Sequence, residues 1–347
     1  MQLGTVSGKA HPGALRFLYL GHLPADSLHR SYAGLAEARQ AGDPPLLLLA
    51  TADTHLTVGA AQTAGAELDF DSCQRLQIPV IQRGLGGGTV WVEPAHLNYF
   101  LMAGLGSPFR RPQDLLNAFA PAFLSVHRHF GLDVQMVGGQ DFTCAGRRIG
   151  STGAATLGRS LVLGGSFLLA GEWSTFTEAL AVPSPGFRVW VLEALEQLMT
   201  TWDAELGRTP APGLVMERLH QELAELGWEI VESCPTELEL EAMEAVELEM
   251  PDWTASAGRR VPCGIKVRLD SFLTERRWGR NFLRIWTENG CFRRIAGTVF
   301  PEELEEAIAG LQKDSPMLDL LLERYLGHGP ASLWRERIRS LAVWTDI

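Results

Sequence analysis

The sequence predicts an α+β protein, with mixed, mainly antiparallel sheets flanked by helices and a small α+β module appended to a larger one. Three observations predict it. Short apolar or β-branched runs of strand length are interspersed with amphipathic stretches at helical spacing. A Glu288-Asn289-Gly290 hairpin signal joins two strand-like runs late in the chain. The pattern also changes near Pro262, after a dense carboxylate run over 237–252 and into a basic stretch from Arg259 to Arg294. With 347 residues, about two domains is the natural expectation.

Elements follow in order. Asp26 or Ser27 caps a helix over 26–40, with Leu28, Tyr32, Leu35 and Ala36 as its apolar stripe. Gly42-Asp43-Pro44-Pro45 stops it, and 45–50 is a continuous apolar run suited to a buried strand. Strands over 54–59 and 78–82 bracket a helix over 68–76. Further strands cover 89–92 and 97–102, with Pro94 and Ala95 in the turn between them. A long helix over 111–130 has Pro112 in its first turn, a Leu115, Leu116, Phe119, Phe123, Leu124 and Val126 face, and Gly131 as its stop. A strand over 134–137 precedes two more, 142–149 and 161–169, around a polar loop at 150–152. A short helix over 173–180 precedes the Pro183-Ser184-Pro185-Gly186 break, and helices over 189–206 and 212–226 follow. The acidic, leucine-punctuated stretch 237–250 reads as connecting material, either a solvated helix or an edge strand. Strands over 265–269, 281–287 and 291–298 and helices over 301–312, 317–325 and 331–341 complete the C-terminal module.

Composition narrows the function. A hydrophobic content of 46% and a charged content of 20% supply a sizeable core. A net charge of −11 disfavours a non-specific nucleic-acid binder, and the acid–base asymmetry across 237–294 suggests a boundary or a charged docking face. Five scattered cysteines form no CxxC pair, so zinc and redox-pair readings are weak and buried reduced thiols are expected. No apolar run is long enough to span a bilayer and no signal-like region opens the chain, which predicts a soluble, cytoplasmic protein without a membrane partner.

The chemistry-bearing stretch is Gln82-Arg83-Gly84-Leu85-Gly86-Gly87-Gly88-Thr89-Val90-Trp91. Glycine lets a backbone approach a ligand closely, and successive N–H groups can then converge on an anion. Arg83 can add charge. The same pattern suits a glycine-rich hairpin or bulge, and spacing alone leaves both open. It is not a nucleotide-hydrolase phosphate loop, which needs Lys-Ser/Thr after the last glycine. Nor is it a dinucleotide fingerprint, because the third glycine is missing and a strand follows.

The residues resemble the lipoate–protein ligase and octanoyltransferase family, which is related in fold to biotin–protein ligases. The resemblance rests on Thr57-Val58-Gly59 with Gln62, on Val80 through Trp91, on Leu97-Asn98-Tyr99, on Gly146-Arg147-Arg148-Ile149-Gly150-Ser151-Thr152-Gly153 and on Leu161 through Ser166. It covers about 25–230, and 264–327 is similar to the small accessory domain of these ligases. It implies a catalytic domain over 1–250 and an accessory domain over 251–347. Four positions depart from the family pattern: Gln82 for the first arginine, Leu85 for a serine, Arg148 for a lysine and Gly164 for a histidine.

The resemblance implies activation of lipoate or octanoate by ATP to an acyl-adenylate, then transfer to a lysine of a lipoyl-carrier protein. Arg148 stands in the catalytic position. Arg83, Gly86, Gly87, Gly88, Thr89, Val90, Trp91, Thr152 and Gly153 would bind the substrates, and Asp141 would hold Mg2+. Leu85, Val90, Trp91 and Tyr99 either line an acyl tunnel or belong to the core. Two other activities fit the family: an ATP-independent octanoyl or lipoyl transferase, and a non-catalytic lipoyl-binding relative. Cys144 does not match the position expected of a transferase nucleophile.

Overall fold

The computed structural model describes residues 13–104, 107–254, 261, 263–268 and 270–342. In chain order the elements begin β1 (Ala14–Leu23), α1 (Ala25–Ala38), β2 (Leu46–Ala52), β3 (His55–Val58), α2 (Ala64–Glu67) and α3 (Phe70–Arg75). Then come β4 (Val80–Gln82), β5 (Val90–Val92), β6 (His96–Gly104), α4 (Pro112–His129), β7 (Val134–Val137), β8 (Asp141–Cys144), β9 (Arg147–Leu157) and β10 (Ser160–Leu168). Helices α5 (Ser174–Ala179), α6 (Pro185–Leu198), α7 (Trp202–Leu206) and α8 (Pro212–Glu225) precede β11 (Glu229–Glu232) and α9 (Glu237–Ala245). The chain ends in β12 (Gly264–Arg268), β13 (Ser271–Trp278), β14 (Asn281–Glu288), β15 (Cys291–Gly297), α10 (Glu302–Ile308), α11 (Pro316–Leu326) and α12 (His328–Leu341).

These elements form two units. Of the described residues, one holds those up to Ala61, within Ile78–Gly171 and within Met199–Pro251; the other holds those within Gln62–Gln77, within Glu172–Leu198 and from Asp252 onward. The first unit is built on an eight-stranded sheet in the order β11-β1-β2-β6-β10-β9-β8-β7. Strand β1 pairs in parallel with β11 and β2, and the other pairs are antiparallel.

Strand β2 shows why the sequence folds this way. All seven of its residues are buried. Side chains alternate between faces along a strand, so Leu47 and Leu49 enter the core with α4 and α8, while Leu46, Leu48 and Ala50 enter a second core with α1. A sheet covered on both faces requires such an uninterrupted apolar run.

Gly34 on α1 lets α9 lie close against it; a Cβ there would sit 2.4 Å from the Met243 Cα. Thr236 and Glu239 form a capping box at the start of α9, which makes the acidic stretch a helix, one of the two readings its sequence permits. A second, three-stranded sheet, β4-β3-β5, also belongs to this unit and carries the glycine-rich stretch between β4 and β5.

The second unit contains the antiparallel sheet β12-β13-β14-β15. Helices α10, α11 and α12 share one apolar cluster with β14 and β15. Helix α6 packs near the same sheet: Glu275, fully buried, accepts from Arg284 Nε at 2.7 Å and from Ser184 Oγ at 2.9 Å. The Trp190 ring lies 5.0 Å from the Arg284 guanidinium and 4.3 Å from that of Arg294.

The observed fold is the mixed α+β architecture expected, with mostly antiparallel sheets flanked by helices. Four local expectations need correction. The polar 150–152 segment is not a loop but the middle of β9. The single strand over 142–149 is two strands joined by a turn at Ala145 (φ 47°) and Gly146 (φ 78°). The helix over 189–206 is broken into α6 and α7, because the backbone near Met199 turns to pair with β9; the Thr200 N–H donates to the Arg148 carbonyl at 2.9 Å. The C-terminal sheet has a fourth strand, β13, whose Glu275-Arg276-Arg277 run hides it from a hydropathy reading. Strands β1 and β11 also carry no expectation from the sequence; β1 is interrupted by a register shift between Tyr19 and His22, and β11 is four residues long. Leu269, Pro262 and Arg259, on which part of the C-terminal reading rests, lie outside the described residues.

Candidate active site

The glycine loop begins at Arg83, and Arg83 explains its shape. The residue is 8% exposed. Its Nη1 donates to the Thr57 carbonyl at 3.2 Å and to Thr57 Oγ1, and its Nη2 donates to the carbonyls of Gly86 at 3.0 Å and Gly88 at 2.6 Å. Peptides are planar and trans among the described residues, so the C=O and N–H of each peptide in the loop point in opposite directions. With the carbonyls of Gly86 and Gly88 turned towards Arg83, the N–H groups of Gly87 and Thr89 are turned away from it. The Gly87 N–H has no partner among the described residues. Arg83 therefore stands behind the loop and orients it.

Burial lowers the Arg83 pKa to about 10, with Tyr32 opposing. No carboxylate pairs with this arginine among the described residues. The loop's backbone dipoles thus have an uncompensated positive charge at their back. Two glycines make the conformation possible. Gly87 has φ +102°, and Gly59 lies so near that a Cβ on it would meet the Gly87 carbonyl oxygen at 2.1 Å.

The fold brings the second motif to the first. The Gly86 N–H donates to the Ala154 carbonyl on β9 at 3.3 Å, and a Cβ on Gly153 would lie 2.9 Å from the Gly86 oxygen. Thr152 is tied by its N–H and its hydroxyl to the Gln140 carbonyl, at 3.0 and 3.3 Å. Further along β9, Arg148 Nη1 lies 3.8 Å from Asp141 Oδ2, and its Nε lies 3.2 Å from Met199 Sδ. Asp141 is buried and accepts from the Ser151 hydroxyl at 2.7 Å. Among the described residues no group of three or more His, Cys, Asp or Glu side chains is arranged to hold a metal.

Other sequence candidates are placed as follows. Val90 is 42% exposed, whereas Leu85, Trp91 and Tyr99 are buried, the Trp91 indole donating to Glu93. Leu85 and Tyr99 belong to the two cores. Cys144 is buried, and burial, reinforced by Glu205, pushes its thiol pKa up, which keeps it protonated and unreactive.

Sequence reasoning missed a buried polar chain near Arg83. The His55 Nδ1 bonds the Asp53 carbonyl at 2.7 Å, His29 Nε2 faces His55 Nε2 at 3.0 Å, and His29 Nδ1 faces the Tyr32 hydroxyl at 3.2 Å. A carbonyl only accepts, so the chain of neutral groups has one polarity: Tyr32 donates to His29, His29 to His55, and His55 to Asp53. Burial lowers the pKa of both histidines, that of His29 further through His55 and Arg83, which keeps the chain neutral. Two histidines 26 positions apart on a helix and a strand give no local signal of this.

Sheet and loop define an α+β domain in which a glycine loop is held by a buried arginine, with the Gly87 N–H turned away from it. A family model described as the lipoyl protein ligase A/B catalytic domain matches residues 24–224, more than half of the chain. The chain belongs to that family. It is similar to a lipoate–protein ligase of Streptococcus pyogenes serotype M5 (strain Manfredo), with 27% identity over 139 residues, 40% of each protein. The match therefore spans less than half the length of that relative. Among solved structures it is similar to a bipartite lipoate protein ligase from Thermoplasma acidophilum, studied with its E2 lipoyl domain. That likeness has a TM-score of 0.59 and 20% identity, over 67% of this chain and 91% of the other. A lipoate–protein ligase A bound with ATP gives 0.55 and 19%, over 67% and 93%. P. falciparum LipL1 in complex with lipoate gives 0.53 and 11%, over 94% and 98%. At these identities the likeness is one of fold. No helix among the described residues is long and apolar enough to cross a membrane.

Proposed function

We propose that this protein is an ATP-dependent lipoate–protein ligase-like enzyme. It converts lipoate or octanoate to an acyl-adenylate and transfers the acyl group to a lysine of a lipoyl-carrier protein. The observation that carries this reading is the loop over Arg83: an outward Gly87 N–H without a partner, backed by a buried guanidinium without a counter-ion. A buried charge left unpaired is costly, and a bound carboxylate or α-phosphate would supply the missing negative charge. Both half-reactions develop negative charge on the acyl carbonyl and the phosphate, where fixed donors act most strongly.

Arg148 is the proposed catalytic cation on β9. It keeps a permanent charge but is planar and forked, suited to two oxygens of one phosphate. Thr152 and Gly153 shape the floor beneath the loop. Asp141 is the proposed Mg2+ ligand; a phosphate-bound Mg2+ needs one or two carboxylates besides water, which suits a lone acid. When bound, Mg2+ would neutralise phosphate charge. Asp141 in the meantime steadies Arg148.

The engagement of Arg148 by Asp141 and Met199 favours, as a second reading, a non-catalytic relative that binds a lipoyl group or a lipoylated partner. The buried, protonated Cys144 weighs against a cysteine-dependent transferase. Incubation with apo carrier domains, lipoate, ATP and Mg2+, followed by intact-mass spectrometry, separates these readings. The ligase reading expects a lipoyl mass increment on the carrier. An increment that needs no ATP when an acylated donor is supplied identifies a transferase, and none across several carriers leaves the binding relative. Arg148→Lys is expected to preserve or raise turnover; loss of turnover would mean the forked guanidinium is itself the required group.

A further inference from the structure

We propose that the end of the C-terminal sheet where β13 turns into β14 is a docking surface for an acidic protein, and that its occupant is the apo lipoyl-carrier domain. The choice of occupant rests on the ligase reading above; the surface rests on four arginines of the second unit. Trp278 and Asn281 pair across the hairpin, so Gly279 (φ 62°) and Arg280 form its turn. Arg280 stands at the tip, with Arg276 and Arg277 just behind it on β13, and all three are exposed. Helix α12 adds Arg337.

These arginines are held by rings rather than by carboxylates. An arginine tied to a carboxylate is neutralised, whereas one stacked on a ring keeps its N–H edges for a partner. The Arg276 guanidinium lies 5.5 Å from the Trp278 ring centroid. That of Arg337 lies 4.5 Å from the same ring and 4.7 Å from the ring of Trp334. Trp334 is buried in the apolar cluster of this module and meets Trp278 edge to face, with centroids 6.3 Å apart. Arg277 lies 6.0 Å from the Phe282 ring, and its ion pair, at 3.6 Å, is with Glu275, whose other oxygen is bonded to Arg284. No side-chain hydrogen bond or ion pair engages Arg276, Arg280 or Arg337 among the described residues. Elsewhere in the same sheet arginines are compensated, Arg268 by Glu288 and Arg294 by Glu193. The hairpin end is therefore an ordered cation cluster whose donors face solvent.

The chemistry that matches it is a set of carboxylates on one face of a folded protein. A guanidinium edge takes a carboxylate through two parallel N–H···O bonds. The chain as a whole carries a charge of −11, and the field of exposed charges fades within about 10 Å at moderate salt. A nucleic acid needs a track of cations along its phosphates and would run off this cluster onto a net-negative protein. A small acidic domain meets the cluster alone. A carrier must also arrive and leave at every turnover, and rim charges speed arrival more than they prolong the complex.

The test is fluorescence anisotropy of labelled apo carrier domains of differing net charge, titrated with the full chain at low and high salt. Acylation is followed in parallel by intact-mass spectrometry. The more acidic carriers are expected to bind more tightly, and salt to weaken them. Arg276→Glu combined with Arg280→Glu is expected to loosen binding about tenfold or more, because like charges then face each other. Arg128→Glu, at an exposed position on α4, is expected to change it by less than about twofold. If the double variant loses the wild-type thermal transition, Arg280→Glu alone is expected to act in the same direction by a smaller factor. Binding that ignores the hairpin variants, or responds equally to Arg128→Glu, overturns the docking surface. So does wild type that binds no carrier, or an oligonucleotide that binds more tightly than any of them. Acylation without arginine-dependent binding leaves the ligase reading intact and removes the surface; arginine-dependent binding without acylation does the reverse.

Discussion

Replacing Arg83 by lysine tests whether this arginine supports the loop from behind. Burial lowers its pKa from 12.5 to about 10, so holding the charge there costs about 3 kcal/mol. Against this stand four hydrogen bonds to Thr57, Gly86 and Gly88. At about 1.5 kcal/mol each for a charged donor they contribute about 6 kcal/mol, a net of about 3. Arg83→Lys keeps the charge and its desolvation. One ammonium, however, cannot span both the Thr57 side and the Gly88 side. With two bonds left the balance falls to about zero, so the substitution is expected to destabilise the first unit by about 3 kcal/mol. Urea unfolding measures this. Hydrogen exchange at the Gly86 amide, which donates to Ala154, is expected to speed up together with it. Stability within about 0.5 kcal/mol of wild type, with exchange at Gly86 unchanged, would refute the idea that Arg83 shapes the cradle.

Three other outcomes are expected. His96 and His127 are buried, and burial holds both pKa values at about 4, below the unfolded value of 6.5. The unfolded chain binds protons first, so their contribution is complete above pH ~6.5 and is lost as pH falls towards ~4, about 2 kcal/mol each by pH 5. His127→Phe, which also removes an unpartnered buried Nε2, should flatten the acid side of a stability–pH curve; an unchanged slope would count against this origin. Gly59→Ala should displace the loop and cost about 2–4 kcal/mol, because the new Cβ meets backbone, whereas Gly88→Ala should be nearly silent, since nothing lies within 4 Å of its Cβ; equal effects in calorimetry would contradict the geometry. Glu275→Ala should destabilise the second unit by about 3 kcal/mol by stranding the buried Arg284, and a thermal transition at the wild-type temperature would argue otherwise.

The sequence by itself determined the fold class and the place of the loop. Both depend on short-range information: apolar periodicity, the hairpin residues between β14 and β15, and a glycine run that no regular element accommodates. The apolar run of β2 was legible because both its faces are buried. By contrast, β13 was hidden because Arg276 and Arg277 in it are exposed and Glu275 in it is buried against Arg284. The tertiary structure alone decided what the loop residues do. Arg83 looked like a ligand-facing cation and turned out to hold the loop from behind, because the carbonyls of Gly86 and Gly88 fold back onto it. Leu85 and Gly164, separated by 79 positions, are opposed across the loop–sheet contact, and His29, His55 and Tyr32 form one oriented chain. Such pairings follow from strand register and close packing, which join residues distant along the chain, and no local pattern records them.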